Sequence, residues 1–183
     1  MGTYREIQGD LIELALAGEF DVITHGCNCF CTMGAGIAVS MKNTFQCDTF
    51  KMEDVSQKGN INKLGTIDIE GVTLSRKDGK VEIFNHKKIR RTYKGYEDFA
   101  ILYVVNSYTQ FHYGSNHTDG VSKPFDYEAF TLCMRKINQK FSLERVGLPM
   151  IGAGLAGGDW QKIKQIIKQE LKDCDITVVI YNK

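Results

Sequence analysis

Asp21-Val22-Ile23-Thr24-His25-Gly26-Cys27-Asn28-Cys29-Phe30-Cys31-Thr32-Met33-Gly34-Ala35-Gly36-Ile37-Ala38 is the stretch that decides the fold. Val22 and Ile23 make Asp21 to Thr24 a short buried strand. A loop of small residues follows from His25. A helix then runs from about Gly36 to Phe45. Gly34-Ala35-Gly36 permits close backbone approach where that helix begins. Free N–H groups at a helix start point at an anion, and the helix dipole adds partial positive charge. Such a loop holds a diphosphate without Lys or Arg. A turn of small residues made only for packing is the other reading, and this loop alone leaves both open.

A second loop repeats the arrangement. Met150-Ile151-Gly152-Ala153-Gly154-Leu155-Ala156-Gly157-Gly158-Asp159-Trp160 leaves the strand Arg145 to Met150 and enters a helix over Trp160 to Lys172. Gly152 to Gly157 matches G-x-G-x-x-G formally. Topology argues against a nicotinamide-cofactor site, because that fingerprint opens a βαβ unit with further strands after it. Here only Ile176 to Tyr181 remains. The first loop has Val39 where the third glycine would stand, and no G-x-x-x-x-G-K-[ST] occurs. Two glycine loops facing each other across a sheet edge can clamp a diphosphate from both sides. Asp10, His25, Asn28 and Asp159 flank them. Each also reads as a local structural residue: a helix cap, a bonded strand-end residue, a turn residue and a second cap.

Outward from these loops, strand and helix patterns alternate. Thr3 to Gln8 reads as a strand. Asp10 to Ala17 reads as a short helix capped by Asp10 and closed by Gly18. Asp48 to Gln57 reads as a helix. Leu64 to Glu70 and Val72 to Phe84 read as strands, with Asp78-Gly79 as a hairpin turn. Phe99 to Val105 has the continuous apolar character of a central strand covered on both faces. Tyr127 to Phe141 is an amphipathic helix. The expected fold is a three-layer α/β/α sandwich with a mixed, mostly parallel central sheet, as one domain over residues 1–183. Ligands in such sheets bind at the carboxyl ends of the strands.

Composition bounds the partners. The 183 residues are 43% hydrophobic and 25% charged, with a formal net charge of +1. That charge gives no overall field favouring nucleic acid or an anionic membrane. The basic segment from Lys87 to Lys94 reads as a solvated loop. No apolar run is long enough to span a bilayer, and Met1 to Glu6 shows no signal-peptide pattern. A cytoplasmic monomer with no membrane partner is expected. The six cysteines, Cys27, Cys29, Cys31, Cys47, Cys133 and Cys174, are expected as reduced thiols. Cys27, Cys29 and Cys31 lie close to His25, but no C-x-x-C occurs. The candidate second pair, His112 and His117, falls in a loop rich in Gly, Ser and Asn. No metal and no cofactor are expected.

At these residues the chain resembles a macro domain, the ADP-ribose-binding α/β module. Gly9-Asp10, His25-Gly26-Cys27-Asn28, Gly34-Ala35-Gly36-Ile37-Ala38 and Ile151-Gly152-Ala153-Gly154-Leu155 carry the resemblance. The wording is closest to the branch of ADP-ribose-1″-phosphate phosphatases and terminal ADP-ribose protein glycohydrolases. The resemblance implies that Asp10 accepts from the adenine amino group, with backbone at Leu11 assisting. It implies that Asn28 meets the distal ribose. Gly34, Ala35, Gly36, Ile37 and Ala38 would cover the distal ribose and α-phosphate. Gly152, Ala153, Gly154, Leu155 and Ala156 would clamp the diphosphate, and Tyr181 would stack on adenine.

The chain departs from the glycohydrolase pattern. Ala156 follows Gly154-Leu155 where that branch has an aspartate, and the strand near Thr66 to Glu70 has no lysine. Hydrolysis of ADP-ribose-1″-phosphate to ADP-ribose and phosphate is therefore the expected activity. His25 and Asp159 are the expected catalytic groups. The rival readings are removal of ADP-ribose from modified protein or nucleic acid, and a non-catalytic ADP-ribose reader.

Overall fold

The computed structural model describes residues 2–49, 59–77, 80–85, 97–113 and 124–181. In chain order the elements are β1 (Tyr4–Gln8), α1 (Leu11–Leu16), β2 (Val22–Asn28), α2 (Ile37–Phe45), β3 (Ile67–Lys77), β4 (Lys80–Asn85), β5 (Glu97–Gln110), α3 (Tyr127–Lys140), β6 (Arg145–Pro149), α4 (Trp160–Glu170) and β7 (Asp175–Ile180). The strands form one sheet in the order β1-β7-β6-β2-β5-β3-β4. From β1 to β5 all neighbours are parallel, and β3 and β4 add an antiparallel edge.

Strand alternation builds the three layers. Successive residues of a strand point to opposite faces. Ile23, Val104 and Val179 therefore pack with Leu11 and Ala15 of α1 and Met41 and Phe45 of α2. Their neighbours Val22, Val105 and Val178 pack on the other face with α3 and α4, through Phe130, Ile137, Ile163 and Ile167. Each such aliphatic side chain taken out of water contributes on the order of 2 kcal/mol. The core is continuous along both faces of the parallel strands, so their loops are left at the sheet's ends.

The structure changes several expected boundaries. β2 does not stop at Thr24. It runs on to Asn28, because His25, Gly26 and Cys27 pair with Asn106, Ser107 and Tyr108 of β5. The first four residues of the expected loop, His25 to Asn28, are therefore strand. β3 passes unbroken through Gly71, which pairs with Tyr103, so the expected break between Glu70 and Val72 is absent. β3 and β4 are the expected antiparallel pair, with Lys77 opposite Lys80. β5 extends beyond Phe99 to Val105 and is covered on both faces only in its later half. Ile101 and Tyr103 remain 50% and 38% exposed. At Cys47–Thr49 the expected helix over 48–57 begins as a 3-10 turn. The rest of that helix from residue 50, Asp78-Gly79, the basic segment 87–94 and His117 lie outside the described residues.

Candidate functional site

A cavity of about 560 Å³ opens at the carboxyl ends of β1, β6 and β7, between the two glycine loops. That is within the size range of small-molecule sites. Its floor is apolar, from Pro149, Met150, Val179 and Ile180, and its rim holds Asp10 and Tyr181. Gly36, Ile37 and Ser40 form one wall, Ala153 and Gly154 the facing one.

Local rules place each group. Asp10 caps α1: its Oδ1 accepts from the amides of Ile12 at 2.8 Å and Glu13 at 3.1 Å. Its second oxygen accepts nothing among the described residues. Tyr181 follows the end of β7 and is 67% exposed at the rim. α2 starts at Gly36, whose φ of 59° and ψ of −148° suit glycine, and no side chain caps the helix. The first amides of α2 are therefore open to an incoming acceptor. The second loop is braced by its own backbone. Gly158 N donates to Gly152 O at 2.8 Å, and Gly157 N to Gly154 O at 3.0 Å. The amides of Gly154, Leu155 and Ala156 donate to no group among the described residues.

The glycines divide into two kinds. A Cβ on Gly152 would stand 2.4 Å from Phe125, and one on Gly158 would stand 2.8 Å from Ile163. Those glycines let the loop lie against the core. At Gly34, Gly36 and Gly154 nothing lies within 4 Å of the place a Cβ would take. Of these, Gly36 and Gly154 line the cavity and leave space open on its two walls, and packing does not require the absence of a side chain at Gly154.

Of the expected binding residues, Asp10, Leu11, Gly36, Ile37, Ala153, Gly154 and Tyr181 line the cavity. Gly34, Ala35, Ala38, Leu155 and Ala156 are not among the lining residues, and Leu155 is 75% exposed. Gly152 is a packing residue. Asn28 is buried and turned onto its own loop: Oδ1 accepts from Phe30 N and Thr32 N, and Nδ2 donates to Thr32 O at 2.8 Å. Sequence reasoning missed Pro149, Met150, Val179 and Ile180. The rule that ligands sit at strand carboxyl ends was the signal that could have found them. Ile12, the second residue of α1, and Ser40, one turn into α2, were also missed.

His25 requires a correction. It is wholly buried, and its Nε2 lies 2.8 Å from Asn106 Oδ1. Asn106 Nδ2 donates to Cys47 O at 2.8 Å, which fixes the amide's orientation. The imidazole therefore carries its proton on Nε2 and donates it to Asn106. The sulfurs of Cys27 and Cys47 complete its surroundings, at 3.6 and 3.7 Å from Nε2. Loss of hydration pushes the ring's pKa down to about 4, against the smaller opposing effect of Asn106. A neutral ring sealed from water has no path for exchanging protons with a ligand. Asp159 is exposed and caps α4, with Oδ1 accepting from Gln161 N at 2.8 Å. Its own amide donates to Tyr127 Oη at 2.8 Å. No hydrogen bond joins Asp159 to His25. Among the described residues no group of three or more His, Cys, Asp or Glu is placed to hold a metal ion.

The fold is shared with solved structures. The macrodomain of Thermus aquaticus DarG covers all of this chain and all of its own, with a TM-score of 0.61 at 19% identity. The chain has the macrodomain fold. Thermosipho africanus DarTG, solved in complex with ADP-ribose, matches 99% of this chain with 42% of its own length, at a TM-score of 0.63 and 17% identity. A Bacteroides thetaiotaomicron protein solved by X-ray crystallography gives a TM-score of 0.64 at 24% identity, covering 98% of this chain and 99% of its own. In sequence, the chain is 30% identical over 179 residues to an uncharacterized 17.5 kDa protein from the tk-vs intergenic region of Enterobacteria phage T4. The match covers 94% of this chain and 93% of that protein, so the two belong to one sequence family. No protein-family model matches the chain.

Proposed function

We propose that the cavity binds ADP-ribose and that the protein hydrolyses ADP-ribose-1″-phosphate to ADP-ribose and phosphate. The observation that carries the binding reading is the pairing of Gly36 with Gly154, two glycines whose missing side chains leave open space on facing walls of one cleft. A diphosphate fits there, against the uncapped start of α2 and the free amides of the second loop. Asp10 stands at the opposite end with an unused carboxylate oxygen for an exocyclic amine. Tyr181 offers an exposed ring face beside it, and the apolar floor suits a nucleoside. The ligand named with Thermosipho africanus DarTG has these parts.

For hydrolysis, remote binding of the ADP part would position the terminal phosphate. Backbone amides would stabilise charge on its oxygens. With His25 sealed in the core, water activation falls to the Asp159 carboxylate. That burial also favours a second reading, an ADP-ribose reader without turnover.

The test is calorimetric titration with ADP-ribose, alongside phosphate release from ADP-ribose-1″-phosphate by the same protein. Binding with release that Asp159→Asn abolishes supports the phosphatase. Binding without release replaces it with the reader or with removal of ADP-ribose from modified protein or nucleic acid, which free ADP-ribose release would separate. No binding overturns the assignment of the cleft.

A further inference from the structure

Five of the six cysteines are buried, and the sixth, Cys31, is half-exposed. Cys31 follows β2 in a tight turn with a φ of 57°. Its amide donates to Asn28 O at 3.0 Å, and the Asn28 side chain clasps Phe30 and Thr32 on either side. The sulfur is thus held in a fixed place. Lys63, at the end of a 3-10 turn over Ile61–Lys63, brings its Nζ to 3.4 Å from that sulfur. Nζ also sits 5.4 Å from the centre of the Tyr108 ring, and Tyr108 Oη is 3.7 Å from the sulfur. Tyr108 Oη is itself held by Asp68 at 2.7 Å. A sulfur and an amine are therefore held together at the edge of the core, outside the lining of the cleft.

We infer that Cys31 and Lys63 form a reversible sulfur–nitrogen crosslink when the protein meets a peroxide. Each step balances. The Cys31 thiolate attacks one peroxide oxygen and the O–O bond breaks. The departing hydroxide takes a proton from the Lys63 ammonium, giving water, a sulfenic acid on Cys31 and a neutral amine. The amine then attacks the sulfur. The S–O bond breaks, an S–N bond forms, and the departing hydroxide takes an amine proton to leave as a second water. Sulfur is oxidised by two electrons and one peroxide is reduced to two waters. Two equivalents of a thiol reverse the bond, restoring Cys31 and Lys63 and leaving the thiol's own disulfide.

The Lys63 ammonium, 3.4 Å from the sulfur, stands where it can give the departing hydroxide its proton. The lysine's flexible four-carbon stem lets Nζ close the remaining distance. The other five thiols lack this access. Burial pushes the Cys29 and Cys174 thiols up to about 11 and the Cys47 and Cys133 thiols up to about 12. The crosslink would staple the β2–α2 loop to the segment that leads into β3. It does not depend on what the cleft binds.

The experiment treats the folded full chain with hydrogen peroxide and maps tryptic peptides by mass spectrometry. The expected product is lighter than the reduced protein by two hydrogen atoms. It joins the peptide holding Cys31 to the one holding Lys63, and trypsin no longer cleaves after Lys63. Dithiothreitol reverses it. Cys31→Ser abolishes it, and Lys63→Ala replaces it with a sulfenic acid on Cys31 that dimedone traps. Protein unfolded in urea gives at least tenfold less crosslink at equal peroxide. A sulfenic acid or disulfide on Cys31 with Lys63 still cleaved overturns the inference. So does equal crosslinking in the unfolded chain.

Discussion

His25 and Asn106 face each other across β2 and β5, with Nε2 2.8 Å from Oδ1 and Asn106 reaching on to the carbonyl of Cys47. This chain of bonds ties the two strands to the turn after α2. It uses the imidazole as a neutral donor. Stability should therefore depend on pH in a direction set by burial. The folded ring's pKa lies near 4, below its ordinary 6.5. Between these values the unfolded chain binds a proton that the folded chain refuses. The contribution is fully present above pH 6.5 and is lost as pH falls toward 4. At roughly 1.4 kcal/mol per pH unit it amounts to about 3 kcal/mol. Urea midpoints measured from pH 7.5 to 4 should fall more steeply for the wild type than for His25→Gln, which cannot titrate. Parallel curves would show that the ring does not refuse the proton.

The same bond predicts the effect of removing its acceptor. Asn106→Leu leaves the Nε2 donor and the Cys47 carbonyl unpaired in the core. Each buried unsatisfied group costs about 1–3 kcal/mol. The loss should appear in urea denaturation, while Asn106→Asp should give partial rescue below neutral pH, where protonation restores an uncharged side chain. Equal stability of wild type and Asn106→Leu would refute the account.

Asp10 does two jobs that can be separated. As an N-cap it accepts two amides of α1. Asn caps about as well as Asp, whereas Ala costs about 1 kcal/mol. Asp10→Asn should leave thermal stability unchanged and weaken ADP-ribose about tenfold, since a charged acceptor is worth roughly 1.4 kcal/mol more here than a neutral one. Asp10→Ala should lose both. Calorimetry with a melting curve on each variant reads the split. Asp10→Asn binding as tightly as the wild type would confine Asp10 to the helix.

How much of this was legible follows from particular residues. Periodicity marks α1, α3 and α4 because their apolar residues recur at helical spacing and Asp10, Asp126 and Asp159 cap them. It ends β2 too early because Cys27 and Asn28 look like loop residues. Their strand state comes from pairing with Tyr108 and Gln110, about 80 positions away in sequence. The same distance hides the role of His25. Its polarity suggests a reactive group, and only the partner Asn106 makes it a core residue. Glycine spacing located both loops. It could not distinguish Gly152 from Gly154, because the difference lies in Phe125, which packs against one and not the other.

That difference yields the sharpest test of the cleft. Gly152 has a φ of 77°, and a Cβ there would stand 2.4 Å from Phe125. Gly152→Ala should therefore destabilise the protein by about 1–3 kcal/mol through overpacking and backbone strain. Gly154 has no such neighbour. Gly154→Val should keep the melting temperature within about 2 °C, because surface changes away from packed features usually stay within about 0.5 kcal/mol. Its side chain would occupy the space proposed for the diphosphate, so ADP-ribose affinity should fall by at least tenfold. Thermal melts and calorimetry on the two variants should thus give opposite results: one loses stability, the other loses the ligand. If Gly154→Val binds ADP-ribose as the wild type does, the open space beside Gly154 is not where the ligand lies.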